Sequence, residues 1–456
     1  MTAVKARQFI LLAGDVATLY LSLAVMIVIR YTLPEFGVQY VLHILPFSII
    51  FFVWILLAYI NGLYDLYLSK PTIALYRRFT ESVAMGLTIA VGLFYLIPIF
   101  GITPKTNLFI LAGVYAIIFI GWRTLMHALP HTAIRVLAVN PHADTLELLS
   151  TLERNKQLGY EIAGVLVPEG THVPKNLTVF HSHEQLRALV SEHHISLVLV
   201  TKNDAAQALM YRELYELLFW NVHVMPADSF FETMTGRVSL SVLSEAWFFE
   251  NLKADRVVAY DVARRIAEYI LCVFALLALL CVFPLIAIAI KATSRGPLFY
   301  KQERVGKNGK RFWLIKFRTM FALDKQGGAE LRGAQFTTHN DPRITPVGKL
   351  MRTLRLDELP QIFNVLRGDM SLIGPRPERP KFVYEFERTM PYYTVRHLIK
   401  PGVTGWAQIN YPYAATPEQQ LTKFQYDLYY VKNRSFFLDL TILLKTFHVI
   451  LYRKGQ

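Results

Sequence analysis

With 456 residues, of which 53% are hydrophobic and only 18% charged, the chain is too apolar for an ordinary soluble enzyme. The same composition excludes a disordered or collagen-like polymer. Its net charge of +14 is lopsided: residues 1–250 hold 16 Lys and Arg against 18 Asp and Glu, and residues 251–456 hold 32 against 16. The C-terminal part must therefore face something anionic, with nucleic acid, lipid headgroups and nucleotide phosphates as candidates.

Four apolar runs open the chain, at 9–29, 41–60, 82–100 and 108–122. The first three reach the ~20 residues needed to cross a hydrocarbon core, and the fourth is slightly short. No small-residue cleavage site follows the first run, so a removable signal peptide is not expected. Lys5 and Arg7 precede it, and Lys70, Arg77 and Arg78 lie between the second and third, whereas the other two connections hold only Arg30 and Lys105. The positive-inside rule then puts both ends of a four-span bundle, residues 1–130, on the cytoplasmic side. Asp15 interrupts the first run close to its end, where solvation or pairing explains it without a functional role.

From 131 to 251 the texture changes. Strands are expected at 134–139, 162–167, 197–201 and 221–225, and helices at 143–156, 184–192 and 205–219. Such alternation predicts a Rossmann-like domain with a parallel sheet. A dinucleotide would need glycines in the first strand–helix turn, which here reads Val139-Asn140-Pro141-His142-Ala143-Asp144. The missing glycines argue against a nicotinamide cofactor, and His142, His193 and His194 have no partners at metal-ligand spacing. A regulatory or oligomerising role fits this section better than a catalytic one.

A fifth apolar run, 266–290, opens the C-terminal section at 252–456. It holds both cysteines, Cys272 and Cys281, which leaves no disulfide framework and no cysteine zinc site. Arg264 and Arg265 precede it, Lys291 and Arg295 follow it, and Pro284 lies near its end. Cations on both flanks, with a proline to break the helix, predict a re-entrant helix–break–helix rather than a fifth span.

Three dense stretches come next. Lys316-Phe317-Arg318-Thr319-Met320 follows a strand-like run. Arg352-Thr353-Leu354-Arg355-Leu356-Asp357-Glu358-Leu359-Pro360-Gln361 leads into a helix, and Gly368-Asp369-Met370-Ser371-Leu372-Ile373-Gly374-Pro375-Arg376-Pro377 closes the group. Pro360 belongs in a first helical turn, so Asp357 and Glu358 sit at or just before a helix N-terminus, where anions are favoured. Side chains of adjacent residues diverge by about 100°, so the two carboxylates have different tasks: one can attack phosphorus while the other holds a metal. Lys316, Arg352, Arg355 and Arg376 supply counter-charge for phosphates. A helix cap is the plain alternative for Asp357, but a cap does not call for so many cations.

These blocks, together with Lys400-Pro401-Gly402-Val403-Thr404-Gly405-Trp406-Ala407-Gln408-Ile409-Asn410 and Tyr426-Asp427-Leu428-Tyr429-Tyr430-Val431-Lys432-Asn433, resemble the bacterial sugar transferases over about 261–452. These are the polyprenyl-phosphate hexose-1-phosphate transferases, monotopic phosphoglycosyl transferases. Four spans and a degenerate Rossmann-like domain ahead of the motifs match the family's long form, and Tyr411-Pro412-Tyr413 further resembles an exosortase-linked exopolysaccharide subgroup.

The resemblance implies that Asp357 is the nucleophile, taking a hexose-1-phosphate from a UDP-sugar as phospho-aspartate and releasing UMP. It implies that undecaprenyl phosphate then accepts the group, that Glu358 assists through Mg²⁺, and that Lys316, Arg352 and Arg376 hold phosphates. It also implies glucose or galactose as the sugar, an inner-membrane location with the catalytic domain on the cytoplasmic face, and allows a homodimer. Two positions depart from the family pattern: Phe283-Pro284 stands where Ser-Pro is usual, and Glu268 where Asp is usual. A membrane-anchored nucleotide-sugar dehydratase or epimerase would need a glycine turn and a Tyr-x-x-x-Lys pair, which 131–251 lacks. A non-catalytic scaffold would not need the carboxylate–cation cluster, and no nucleic-acid recognition motif accompanies the basic charge.

Overall fold

Long, predominantly apolar stretches open the chain as four helices: α1 (Ala3–Arg30), α2 (Phe36–Ile60), α3 (Ile73–Leu96) and α4 (Lys105–Ala128). The structure is a computed structural model. It describes residues 3–65, 72–96, 105–128, 133–181, 186–201, 213–220, 222–252, 258–322, 341–411 and 416–451. The chain divides into two units, Met1–Phe230 and Phe231–Gln456.

In the first unit α1 and α4 lie close because Gly14 leaves room for the Trp122 ring, which a Cβ would meet at 1.9 Å. The neighbouring residues pair: Arg123 of α4 donates to Asp15 of α1 at 2.6 Å, with both side chains fully buried. Pairing is thus how the bundle accommodates Asp15. Removing one partner of a buried pair leaves an uncompensated charge. Asp15→Ala should therefore lower the bundle's stability by about 3–5 kcal/mol, and adding Arg123→Met should recover most of it in detergent melting experiments.

Among the described residues, four helices are long and apolar enough to cross a membrane: Ala6–Arg30, Leu33–Ile60, Thr106–Ala128 and Ala259–Thr293. Three come from the N-terminal runs. The run expected at 82–100 falls on α3, which opens with Arg77, Arg78 and Glu81 and is not among the four; residues 97–100 lie outside the described ones. It still packs in the same bundle, with Phe79 stacked on Phe119 of α4 at 4.0 Å.

After the bundle the unit continues as an α/β sheet. Strands β1 (Ile134–Val139), β2 (Tyr160–Leu166), β3 (Val179–Phe180), β4 (Leu197–Val200) and β5 (His223–Pro226) are all parallel, in the order β3-β2-β1-β4-β5. Helices α5 (Ala143–Arg154) and α6 (Leu186–Glu192) alternate with them. Strand β3 was not expected: two residues are too short for a periodic signal. Most of the helix expected at 205–219 and the start of that at 184–192 lie outside the described residues. At the glycine-free turn, Asn140 takes the left-handed backbone (φ 47°) that glycine would otherwise supply.

Helix α7 (Ala227–Thr235) carries the boundary between the units. Residues 231–251, read from sequence as part of the middle section, fold in the second unit. There Lys432 binds Glu232 at 2.7 Å and Trp406 Nε1 donates to Gly236 O at 2.8 Å.

The second unit then follows with α8 (Glu245–Asn251), α9 (Val258–Thr293), an antiparallel hairpin of β6 (Phe299–Val305) and β7 (Arg311–Phe317), α10 (Pro346–Thr353) and α11 (Gln361–Arg367). Strand β8 (Ser371–Ile373) pairs in parallel with β9 (Gly402–Thr404) around α12 (Pro380–Thr389), and α13 (Trp406–Asn410), α14 (Pro417–Asn433) and α15 (Phe436–Leu451) close the chain. Helix α9, about 54 Å long at 1.5 Å per residue, stays helical through Pro284, where a break was expected. Only 17% of its most apolar window is buried, and Phe274, Leu277, Leu285 and Ile288 are exposed.

Candidate functional site

Asn364 of α11 ties this helix to the hairpin. Its Oδ1 accepts from Ile315 N at 3.0 Å and its Nδ2 donates to Trp313 O at 2.8 Å. That double bond of side chain to strand sets the segment before α11 against the end of β7. The segment is a single 3₁₀ turn, Leu356–Glu358, entered through Arg355 in the left-handed conformation (φ 57°) and followed by Pro360 at the N-cap of α11. Asp357 and Glu358 therefore diverge by about 120° in this tighter turn.

The two carboxylates meet different surroundings. Glu358 Oε1 accepts from Lys316 Nζ at 2.8 Å and from Arg376 Nη2 at 3.1 Å, with Arg355 Nη1 at 3.8 Å. Asp357 is also buried, yet its Oδ1 takes no hydrogen bond among the described residues. Burial pushes the Asp357 carboxyl up from its ordinary value, against the pull of Lys316, Arg352 and Arg355. Burial also pushes on Glu358, but Lys316, Arg376 and Arg355 together hold it well below the usual carboxylate range. Lys316 is shifted down by burial, with Glu358 opposing. Glu358 is thus a fixed anion gripped by cations, while Asp357 keeps unengaged lone pairs. Of the two, Asp357 is the one free to bond to an incoming electrophile.

Lys316, Glu358 and Arg376 thus come together. Arg352 comes within electrostatic reach of Asp357, but its Nε is held by Thr319 Oγ1 at 2.9 Å. Pro284 lies outside this cluster, on an exposed stretch of α9. Phe283 beside it stacks on Phe299 (6.3 Å, 16°) and meets Phe317 at 6.1 Å, so the ring at the usual serine position anchors α9 to the hairpin. Glu268 pairs with Arg264 at 3.0 Å and accepts from Ser371. Arg318, fully buried, donates to Ser294 O and Arg295 O at 2.8 Å and clasps the end of α9.

Sequence reasoning did not reach the layer behind Arg376. Arg396 Nη2 donates to Arg376 O and to Asp427 Oδ2, both at 2.8 Å, and Arg304 Nη1 donates to Pro377 O at 3.0 Å. Gly374 and Gly402 let the two short strands touch there: a Cβ on Gly402 would lie 2.0 Å from Gly374 N. Asp427 falls in one of the quoted blocks, so its segment was marked while its partner, 31 residues away, was not.

Glu378 completes that layer, receiving Lys423 Nζ at 2.7 Å with Arg304 at 3.8 Å. Burial raises its pKa, but Lys423, Arg396 and Arg304 overcome this and bring it to about 2. A depressed carboxyl stabilises the fold above its unfolded pKa of 4.5, and that contribution is lost as pH falls toward 2. Wild type should therefore exceed Glu378→Gln by about 3 kcal/mol at pH 6, with the gap closing near pH 2 in unfolding measurements.

Magnesium ions take one or two carboxylates and complete their shell with water and phosphate oxygens. The bonds Glu358 makes to described residues all end on Oε1, which leaves Oε2 and Asp357 Oδ1 available on neighbouring residues. That donor set fits Mg²⁺ arriving with a phosphate. Among the described residues, no group of three or more His, Cys, Asp or Glu forms an all-protein metal site.

The family model described as bacterial sugar transferase matches residues 259–453. The chain is 43% identical over 220 residues to a UDP-N-acetylgalactosamine-undecaprenyl-phosphate N-acetylgalactosaminephosphotransferase of Aeromonas hydrophila, covering 48% of this chain and 50% of the relative. It is 34% identical to a UDP-glucose:undecaprenyl-phosphate glucose-1-phosphate transferase of Xanthomonas campestris pv. campestris, covering 68% of this chain and 65% of that one. A protein of the same name from Caulobacter vibrioides is 35% identical over 41% of this chain and 70% of its own length. The match thus spans about half to two thirds of the first two relatives.

Proposed function

Because the chain belongs to the bacterial sugar transferase family, we propose that it transfers a sugar-1-phosphate from a UDP-sugar to undecaprenyl phosphate. The observation that carries this reading is the contrast within the carboxylate pair: Asp357 unengaged, Glu358 held by Lys316 and Arg376. An Asp357 oxygen attacks the sugar-bearing phosphorus, the phosphoanhydride bond breaks, and UMP leaves with that bond's electrons. The phosphate oxygen of undecaprenyl phosphate then attacks the same phosphorus, restoring the Asp357 carboxylate and forming a lipid diphosphate sugar. Lys316, Arg376 and Arg352 steady the phosphate charges. Glu358 and Asp357 would hold Mg²⁺, which would supply charge neutralisation for the two phosphates. Glucose, galactose and their N-acetylated relatives are the donor candidates, and polysaccharide repeat-unit initiation is the process served.

The reaction needs donor and lipid acceptor on one face of a membrane. Helix α9 supports this placement, since residues near both its ends grip the same unit. Arg264 bonds Ser371 and Ile373 O, while Ile286 and Ile290 pack with Phe317 and Met351. A helix bent at Pro284 and re-entrant on the cytoplasmic face of the inner membrane would have both ends so placed. With α3 as the fourth crossing, the N-terminal bundle returns the chain to that face. The strand order of the preceding sheet agrees with a Rossmann-like domain. Its function here is regulatory or oligomerising. The subgroup mark at Tyr411-Pro412-Tyr413 falls largely outside the described residues.

Purified protein given each UDP-sugar with the label in the sugar-linked phosphate should move that label into the lipid fraction and release UMP in equal amount. Release of UDP instead would mean that only the sugar moves, and would overturn the phospho-aspartate route. Placement has its own test. Single cysteines at Ala254 and Thr293, with Cys272 and Cys281 replaced, should both resist an impermeant thiol reagent in intact cells and react once the membrane is opened. Labelling of Thr293→Cys alone from outside would establish a full crossing.

A further inference from the structure

The second unit holds another concentration of positive charge, apart from the carboxylate pair. An open cavity of about 110 Å³ lies where the first turns of α9 meet the segments after α11 and before β9. Five cations line it. Two are already spent: Arg264 on Glu268 and Asp439, and Arg434 on Asp261. The other three, Arg265, Lys307 and Lys400, make no side-chain hydrogen bond or ion pair with the described residues. Lys400 is shifted toward its neutral form by partial burial and by Arg265 and Lys307 nearby, which outweigh the opposing pull of Glu268 and Asp369.

The position of the cavity selects the anion. Helix α9 runs from it straight into an exposed apolar surface, with Ile266, Ile270 and Phe274 each more than half exposed. Tyr269, an interface-type residue, lines the cavity as well. The cavity therefore sits at headgroup depth if α9 lies in a membrane. It is also remote from the chemistry: Val365, near the C-terminal end of α11, lines it, whereas Asp357 precedes the other end, about 10 Å along the helix.

We propose that this cavity is a binding site for the phosphodiester of an anionic membrane lipid, held by Arg265, Lys307 and Lys400. The proposal rests on the membrane placement of α9 and not on the transfer reaction. Its test reads lipid binding alone. Full-length protein in detergent is titrated with phosphatidylglycerol or phosphatidylcholine, and bound lipid is counted by native mass spectrometry. One phosphatidylglycerol should be retained at least about tenfold more tightly than phosphatidylcholine.

The double variant Lys307→Gln, Lys400→Gln should lose about 30-fold in affinity, at roughly fivefold per cation. Arg265→Gln should lose about fivefold, while Asp357→Asn and the control Lys381→Gln, an exposed position on α12, should bind as wild type does. Inorganic phosphate at 10 mM (about the concentration that would fill a simple anion site) should not displace the lipid. Equal retention of both lipids, or unchanged binding by the folded cavity variants, would overturn the proposal. Displacement by phosphate would also overturn it, assigning the cavity to a soluble phosphate. Loss of sugar-phosphate transfer with lipid binding intact would count against the proposed reaction only.

Discussion

Asp357→Asn should lower turnover by at least about a thousandfold while leaving the protein as stable as wild type. The amide keeps the size and planarity of the carboxyl group but has no lone pair basic enough to attack phosphorus. Little stability is at stake, because Asp357 makes no hydrogen bond among the described residues whose loss would strand a partner. Burial of the carboxylate adds a signature in wild type: with its pKa raised, the reactive anion is depleted at a pH above the ordinary Asp range. Turnover should accordingly fall in mild acid, and label from the donor phosphate should be trapped on wild type but not on Asp357→Asn. Residual activity above about a tenth of wild type would remove Asp357 from the covalent role.

Much of this site was legible in the residues because its charges cluster in short local blocks. A helix start after Pro360 fixed where Asp357 and Glu358 must lie, and nearby cations marked them as more than a cap. What the blocks could not say is how the charge divides between the pair. That division comes from long-range packing: Lys316 and Arg376 reach Glu358 from 42 residues before and 18 after it. The same limit hid the Arg396–Asp427 support behind Arg376, since no local periodicity records which buried charges will meet.

The misread elements have equally local causes. Pro284 looked like a break, yet packing of Phe283 and Ile286 against the hairpin keeps α9 helical through it. Residues 231–251 read as a continuation of the α/β section because nothing in composition separates them. Their allegiance to the second unit lies in single contacts such as Glu232–Lys432.

Glu358→Gln is expected to cost about a hundredfold in turnover, and its conditional behaviour identifies the cause. In wild type one carboxylate oxygen is shared by Lys316 and Arg376, with Arg355 behind them. An amide there leaves three neighbouring cations without their common anion. Burial already lowers the Lys316 pKa, and Glu358 is the largest influence holding it up. In the variant Lys316 should therefore lose its proton at lower pH than in wild type. A neutral lysine no longer holds phosphate, so the ratio of variant to wild-type activity should decline as pH rises.

Removing the carboxylate also removes one of the two oxygens that suit Mg²⁺, and half-saturating magnesium should rise by at least about tenfold. Wild type itself should stop after exhaustive EDTA treatment and recover when magnesium is returned. If the variant shows the same magnesium requirement and the same pH profile as wild type, Glu358 only shapes the turn. If wild type keeps full activity after EDTA, Lys316, Arg352 and Arg376 neutralise the phosphates unaided, and the metal has no place in the reaction.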